Sequence, residues 1–282
     1  MTPWIIVGGG RMGRAFAAVA QREGIDVRSL PGRAEGAPRR PAAPALWILA
    51  VTDAALETVC ERITPALTAG DVVVHLAGAR GLDALSAIRA SGAAVGALHP
   101  LAAVATLDPP GNLRGAAFLV EGDAAAIAAA HAVAEACGGT LLVAGESVDR
   151  DAYHAGAALV ASGAVAIAQG AQLLFARAVR PEPAEAARRA AVASLLRSVA
   201  RNIEALGADG ALASPLLRND TATVERHLRA MAFDGTVRGL YRAVLARVVV
   251  PLEAAGAVMP ETLRRVRALL AGEDPEGPSP RT

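Results

Sequence analysis

Apolar and polar positions divide the chain into two stretches of different rhythm. Up to about residue 145, short apolar runs alternate with longer stretches whose apolar residues recur every three or four positions, the pattern of strands alternating with helices. Trp4–Val7 reads as a strand and Arg11–Arg22 as a helix with Ala15, Phe16 and Val19 along one stripe. Ile25–Leu30 follows as a second strand. Ala45–Val51 is a continuous apolar run suited to a strand covered on both faces, as parallel sheets are. A helix from Thr52 to about Ala66, with Asp53 as its N-cap, leads to a strand at Val72–Leu76. A helix at Leu82–Ala90, a strand at Ala94–Leu98, a strand at Ala116–Val120, a helix to about Cys137 and a strand at Gly138–Val143 complete this stretch. The alternation predicts an α/β, Rossmann-like, doubly wound parallel sheet.

Beyond Gly145 the periodicity is helical throughout. Asp149–Ala178 reads as one long helix, broken at Pro181 and Pro183, which start the next at about Ala184–Leu206. Asp220 is placed to cap a helix at Thr221–Met231, and helices near Gly235–Ala254 and Pro260–Leu270 follow. The expected domains are 1–145, dinucleotide-binding, and 146–272, all-helical. Residues 273–282, rich in Pro, Gly and charge, read as a disordered tail. Ala155–Ala176 carries no charge and is long enough to cross a bilayer. Its Ala and Gly content, with Ser162, Gln169 and Gln172 inside it, suits a helix buried among helices better than one facing lipid, so no membrane is expected.

Within the first strand-to-helix turn, Gly8, Gly10 and Gly13 take the G-x-G-x-x-G spacing around Arg11 and Met12. One glycine makes the turn, one admits a pyrophosphate to the backbone amides, and one lets helix pack on strand. The helix N-terminus then directs its free N–H groups and dipole at the anion. About 20 residues on, an acid would select NAD and an arginine NADP. Arg28 stands there, no acid occupies 27 to 34, and Arg33, Arg39 and Arg40 follow, so NADP(H) is the expected cofactor. Val51, Thr52 and Asp53, at the carboxyl end of another strand, are expected to border it, with Thr52 near the nicotinamide ribose.

Composition narrows the chemistry. The 282 residues are 53% hydrophobic, enough for a core, and the net charge of +1 lacks the basic footprint of a nucleic-acid binder. The N-terminus does not read as a signal peptide, which suggests a cytoplasmic protein. Cys60 and Cys137 form no C-x-x-C and indicate neither a disulfide framework nor a metal site. Every basic residue is arginine, so a mechanism needing a lysine acid, base or Schiff base is closed. His75 and His99 stand where strands end, the edge at which open α/β sheets bind ligands, although a histidine there can also simply bond a loop carbonyl.

Gly8 to Gly13, Leu49 to Asp53, His75-Leu76-Ala77-Gly78, Leu98-His99-Pro100-Leu101, Tyr153-His154-Ala155 and Ser214 to Asp220, in that order, resemble a branch of bacterial two-domain NADP-dependent oxidoreductases. These join a Rossmann-like domain to a helical domain of the 6-phosphogluconate dehydrogenase C-terminal-like type, which in this branch is a domain of unknown function. Pyrroline-carboxylate reductases, ketopantoate reductases and β-hydroxyacid dehydrogenases resemble the chain more distantly. The resemblance implies a homodimer built by the helical domains and a substrate cleft. The chain departs from the branch at Ala77, where Ser is frequent, at Ser162, where Asn is frequent, and at Ser214 and Asn219, which replace Gly.

The expected reaction is hydride transfer from NADPH to a C=O group of a small acidic metabolite. His99, His154 and Tyr153 are the candidate acids, the histidines favoured because an unperturbed imidazole titrates near neutrality. Tyr153 and His154 could equally pack between domains. His75 and Ser162 are candidate substrate contacts. Arg218 could grip a carboxylate through its bidentate fork, or be a surface residue beside the Asp220 cap. A C=N acceptor and a non-catalytic NADP(H)-binding redox sensor are the alternatives.

Overall fold

The computed structural model describes residues 1–105, 113–145, 148–178 and 185–272. These fall into two compact units divided between Ala161 and Ser162.

The first unit is built on a seven-stranded sheet in the order β2-β1-β3-β4-β5-β6-β7. Its strands are β1 (Trp4–Val7), β2 (Val27–Leu30), β3 (Leu46–Leu49), β4 (Val72–His75), β5 (Ala94–Leu101), β6 (Ala117–Gly122) and β7 (Thr140–Val143). The helices are α1 (Arg11–Arg22), α2 (Leu56–Ile63), α3 (Ser86–Arg89) and α4 (Ala124–Ala136). Alternate side chains of each strand enter opposite cores. Trp4, Ile6, Leu46 and Ile48 pack with Phe16 and Val19 of α1 and Val133 of α4, whereas Ile5, Val7, Trp47 and Leu49 pack with Val59 of α2 and Ile88 of α3. Helices therefore cover both faces, which is why the central strands read as unbroken apolar runs.

The expected parallel sheet is present, with one antiparallel step on one side. β2, β1, β3, β4 and β5 are mutually parallel, but β6 runs antiparallel to β5, and β7 is parallel to β6. Apolar content does not encode strand direction. A parallel pair needs a long crossover, usually a helix, and none lies among the described residues between β5 and β6. β5 is also longer than expected. It continues through His99 and Pro100, which pair with Leu119 and Phe118, so His99 stands inside a strand rather than after one. Asp53 is not the N-cap expected of it: Thr52 holds that position, without a side-chain cap bond, and a single 3₁₀ turn, Asp53–Ala55, precedes α2.

The helix α5 (Arg150–Ala178) begins in the first unit, where Asp149 accepts a bond from the Ala152 amide at 2.9 Å, and continues into the second. The second unit adds α6 (Glu185–Gly210), kinked at Gly207 where φ is 73°, α7 (Thr221–Ala230), α8 (Gly235–Ala254) and α9 (Pro260–Ala271). Asp220 caps α7 through the Thr223 amide at 2.9 Å, as expected. Leu216, Val224, Leu228, Leu245, Val249, Val266 and Leu269 form its core. The expected helix break at Pro181 and Pro183 and the tail at 273–282 lie outside the described residues.

One expectation for α5 is corrected. Among its described residues only Gly170 is buried within the chain, packed against Val237 and Leu240 of α8. Leu159 and Val160 are 76% and 73% exposed. The helix is long and apolar enough to cross a membrane by length and composition alone.

Candidate functional site

The three glycines of the first turn do different work. Gly8 has φ +119° and lies so close to β3 that a Cβ would meet the Ala50 carbonyl oxygen at 2.2 Å. At Gly13 a Cβ would lie 1.9 Å from the Gly8 carbonyl oxygen, so the close packing of α1 on the turn excludes any side chain. Gly9 and Gly10 are exposed, and a Cβ there would meet nothing within 4 Å. This open stretch of backbone leads directly into the α1 N-terminus. No acidic residue stands in its first turn and no side chain caps it, so its amides and dipole face that space. The turn fits a pyrophosphate. Arg11 is exposed beside it, while Met12 is half-buried and packs onto the core.

The arginines beyond β2 separate into anchors and a candidate ligand. Arg28 lies inside β2, and its Nη2 donates to the Arg39 carbonyl at 2.8 Å. Arg40 donates to the Leu67 carbonyl at 3.1 Å, and Arg62 to the Pro31 carbonyl at 3.0 Å. These three hold the loop after β2 in place. Arg28 thus spends one donor on the loop backbone, whereas its Nε has no hydrogen-bond partner among the described residues. Arg33 is exposed and lines an open cavity of about 560 Å³ with Gly32, Glu35, Ala54, Thr58 and Arg62. Val51 sits between this loop and the glycine turn, its Cγ1 within 3.2 Å of where Cβ atoms on Gly8 and Gly32 would be. Thr52 and Asp53 are exposed alongside.

His75 and His99 differ despite their similar positions in sequence. His75 ends β4 and is fully buried. Its Nδ1 accepts from the Ala77 amide at 3.2 Å, so its Nε2 carries the proton and donates to the Gly81 carbonyl at 3.1 Å. Burial pushes its pKa down to about 4, against the Gly81 bond, which favours the charged form. Both nitrogens hold the 76–81 loop, which leaves no ring edge for the substrate contact expected of it.

His99 stands two residues past the position that pairs with His75 across β4 and β5, and strand alternation puts both on one face of the sheet. Its Nδ1 is hydrogen-bonded to Tyr153 Oη at 2.8 Å, with the rings edge-on at 82°. His154 stands edge-on on its other side, ring centroids 5.9 Å apart. Burial, then the neighbouring His154 and Arg150, push the His99 imidazole down to about 4, opposed by Asp53. Burial raises the Tyr153 phenol, with Arg150 opposing. At neutral pH the pair is thus a neutral imidazole bonded to a neutral phenol. The structure brings His99, Tyr153 and His154 together at the carboxyl end of the sheet. Ser162, exposed on α5, and Arg218, exposed at the end of a 3₁₀ turn at Pro215–Arg218, belong to the second unit.

Three participants escaped the sequence reading. A Cβ on buried Gly78 would lie 2.7 Å from His154 Nδ1 and 2.8 Å from His99 Nε2, so this glycine lets backbone touch both imidazoles. Arg150 and Glu121 form an ion pair at 2.5 Å beside them. Arg150 precedes Tyr153 and His154 by three and four residues, the spacing of one helix face, and that was the available signal.

Comparison with known proteins agrees with this architecture. A family model described as a Rossmann-like domain matches residues 27–100, and one described as a domain of unknown function, DUF2520, matches residues 116–248. The chain thus carries a Rossmann-like match followed by a DUF2520 match that runs from β6 of the sheet into α8. No curated protein matches it. Among solved structures, a proposed NADP oxidoreductase from Bacteroides fragilis shares 18% identity with a TM-score of 0.63, covering 88% of this chain and 97% of that one. Plasmodium falciparum pyrroline carboxylate reductase with NADP bound shares 14% identity with a TM-score of 0.56, over 88% and 97%. A reductive aminase from Aspergillus terreus, in complex with NADPH and ethyl-5-oxohexanoate, shares 20% identity with a TM-score of 0.57, over 93% and 98%. At these identities the likeness is one of fold.

Proposed function

We propose that the chain is an NADPH-dependent oxidoreductase that reduces a C=O group of a small acidic metabolite, with Tyr153 and His99 handling the proton. The observation that carries this reading is the 2.8 Å bond between His99 and Tyr153 at the carboxyl end of a sheet whose first turn has the backbone geometry of a pyrophosphate cradle. The dinucleotide, when bound, supplies the hydride. Gly8, Gly10 and Gly13, with Arg11 and Met12, would hold its pyrophosphate; Arg33 would face its 2′-phosphate, and Val51, Thr52 and Asp53 would border its ribose.

Reduction of a carbonyl leaves negative charge on oxygen, and the protein must deliver a proton there. His99 is held neutral, so it is not the imidazolium donor anticipated from its ordinary pKa. In the tautomer with hydrogen on Nδ1, it donates to the Tyr153 oxygen, which frees the phenolic hydrogen for the acceptor and stabilises the phenolate left behind. A positioned acid of this kind contributes roughly 10²- to 10⁴-fold. His154 borders the acceptor.

A C=N acceptor is the second reading, favoured by the pyrroline carboxylate reductase and the reductive aminase among the similar folds. Single-turnover oxidation of bound NADPH, followed by absorbance across 2-oxo acids, aldehydes and cyclic imines, tests both. Consumption by oxo compounds supports the carbonyl reading, and consumption by imines alone moves the assignment to C=N. Tight NADPH binding with no consumption leaves a redox sensor, and absence of NADPH binding overturns all three.

The chain is also proposed to work as a homodimer. Leu159, Val160, Val165, Ile167 and Leu173 are exposed on α5, and Leu195, Val199, Ile203 and Leu206 on α6. On α6 these residues share one face, and a second copy of the chain that covered it together with the apolar surface of α5 would recover apolar free energy now left in water. Light scattering should give twice the chain mass, and Leu159→Glu with Leu195→Glu should give the monomer. A monomeric parent, or one extracted only with detergent, refutes it.

A further inference from the structure

We infer that Arg150 and Glu121 are positioning residues that hold the Gly78 loop against His99 and Tyr153 and set the charge those groups experience; this rests on the proposed role of His99 and Tyr153. The pair joins the elements that make the cluster. Arg150 opens α5, one turn ahead of Tyr153 and His154. Glu121 lies on β6 opposite Ala97, two residues before His99 on β5. Arg150 Nη2 meets Glu121 Oε1 at 2.5 Å, and Arg150 Nη1 reaches the Gly78 carbonyl at 3.4 Å. Side-chain exposure is only 11% for Arg150 and 20% for Glu121.

A cation in the first turn of a helix opposes the helix dipole, so Arg150 is not placed there for the stability of α5. An ion pair this far from water returns little net stability, because desolvation offsets the attraction. What the pair does is geometric. The guanidinium bridges α5, β6 and the loop after β4, and the glycine it reaches is the one whose backbone lies against both imidazoles. A shift of that loop would separate His99 from its neighbours.

The charges around His99 can be enumerated. Arg150, His154 and the Tyr153 hydroxyl face it from α5, Asp53 from the turn after β3, and Glu121 compensates Arg150 from β6. Arg150 opposes protonation of His99, and Glu121 moderates that effect.

The two partners therefore predict opposite responses, which a purely structural role does not. Histidine titration by NMR on the full-length protein reads them without cofactor or substrate. Arg150→Met should move the His99 midpoint up by roughly half a unit or more, and Glu121→Gln, which leaves the cation uncompensated, should move it down. If the pair only braced the fold, both variants would loosen the cluster and both midpoints would rise toward the ordinary imidazole value. That result overturns the inference, as does an unmoved midpoint in Glu121→Gln. Should Arg150→Met fail to fold, Glu121→Gln and Arg150→Lys decide alone, the lysine being required to keep the midpoint near the parent's. Opposite-sign shifts in the variants of a parent protein that itself oxidises no NADPH would refute the proposed reaction and leave the positioning role standing.

Discussion

His99 and Tyr153 lie 54 residues apart in the chain and share a hydrogen bond of 2.8 Å, a strand residue meeting a helix residue at the edge of the sheet. The contact ties β5 to the first turn of α5 and joins two polar side chains into one hydrogen-bonded unit. With the imidazole driven to about 4 by burial, that unit is neutral through the physiological range.

Tyr153→Phe keeps the ring and removes the hydroxyl. With the substrate found by the single-turnover panel, kcat should fall about 10²-fold or more while the NADPH Kd stays within about twofold. Groups acting as one unit lose activity once, so the double variant with His99→Ala should be little worse than the poorer single variant. Independent, multiplying losses would separate the two residues.

Stability should depend on pH through His75. Its imidazole titrates near 6.5 when unfolded and at about 4 when folded. Between those values the unfolded chain binds more protons, so stability is complete above about pH 6.5 and is lost as pH falls toward 4. The loss from this residue reaches about 3 kcal/mol, with His99 adding in the same direction. Thermal melts from pH 4 to 7 read the slope, and His75→Gln should flatten it while lowering Tm at neutrality. An unchanged slope in that variant would assign the acid sensitivity elsewhere.

Glycine substitutions in the first turn should split stability from binding. At Gly10, φ is −69° and a Cβ meets nothing. Gly10→Ala should therefore lower Tm by less than about 3 °C, a helix-cap effect, yet weaken NADPH by tenfold or more as a methyl enters the phosphate's space, about 1.4 kcal/mol. Gly13→Ala drives a methyl into the Gly8 carbonyl and should cost roughly 5 °C or more. Calorimetry and NADPH fluorescence titration on the same samples distinguish them. Parent-like affinity in Gly10→Ala removes the pyrophosphate from the turn.

Cofactor choice should follow Arg33 rather than Arg28. Removing a charged hydrogen-bond partner of the 2′-phosphate should weaken NADPH about tenfold or more in Arg33→Ala and leave NADH nearly unchanged. Arg28→Ala releases the Arg39 carbonyl and should affect both cofactors alike. Competition titrations with the two dinucleotides measure the ratio, and an unchanged ratio in Arg33→Ala counts against the assignment.

The sequence by itself determined the alternation of strands and helices, the strand-turn-helix around Gly8, Gly10 and Gly13, the Asp220 cap and the placement of His99 near the carboxyl end of the sheet. These follow from dihedral preference, apolar period and chain order, all of which act between near neighbours. Tertiary structure alone decided that β6 opposes β5, that His75 is sealed into a loop while His99 meets Tyr153, that Arg28 is tied to backbone, and that Arg150 and Glu121 stand beside the cluster. Those outcomes depend on which distant groups desolvate or bond a side chain, and burial can move an imidazole across the pH range in which it would serve as an acid. Residues with the same local pattern therefore take different roles once the chain closes on itself.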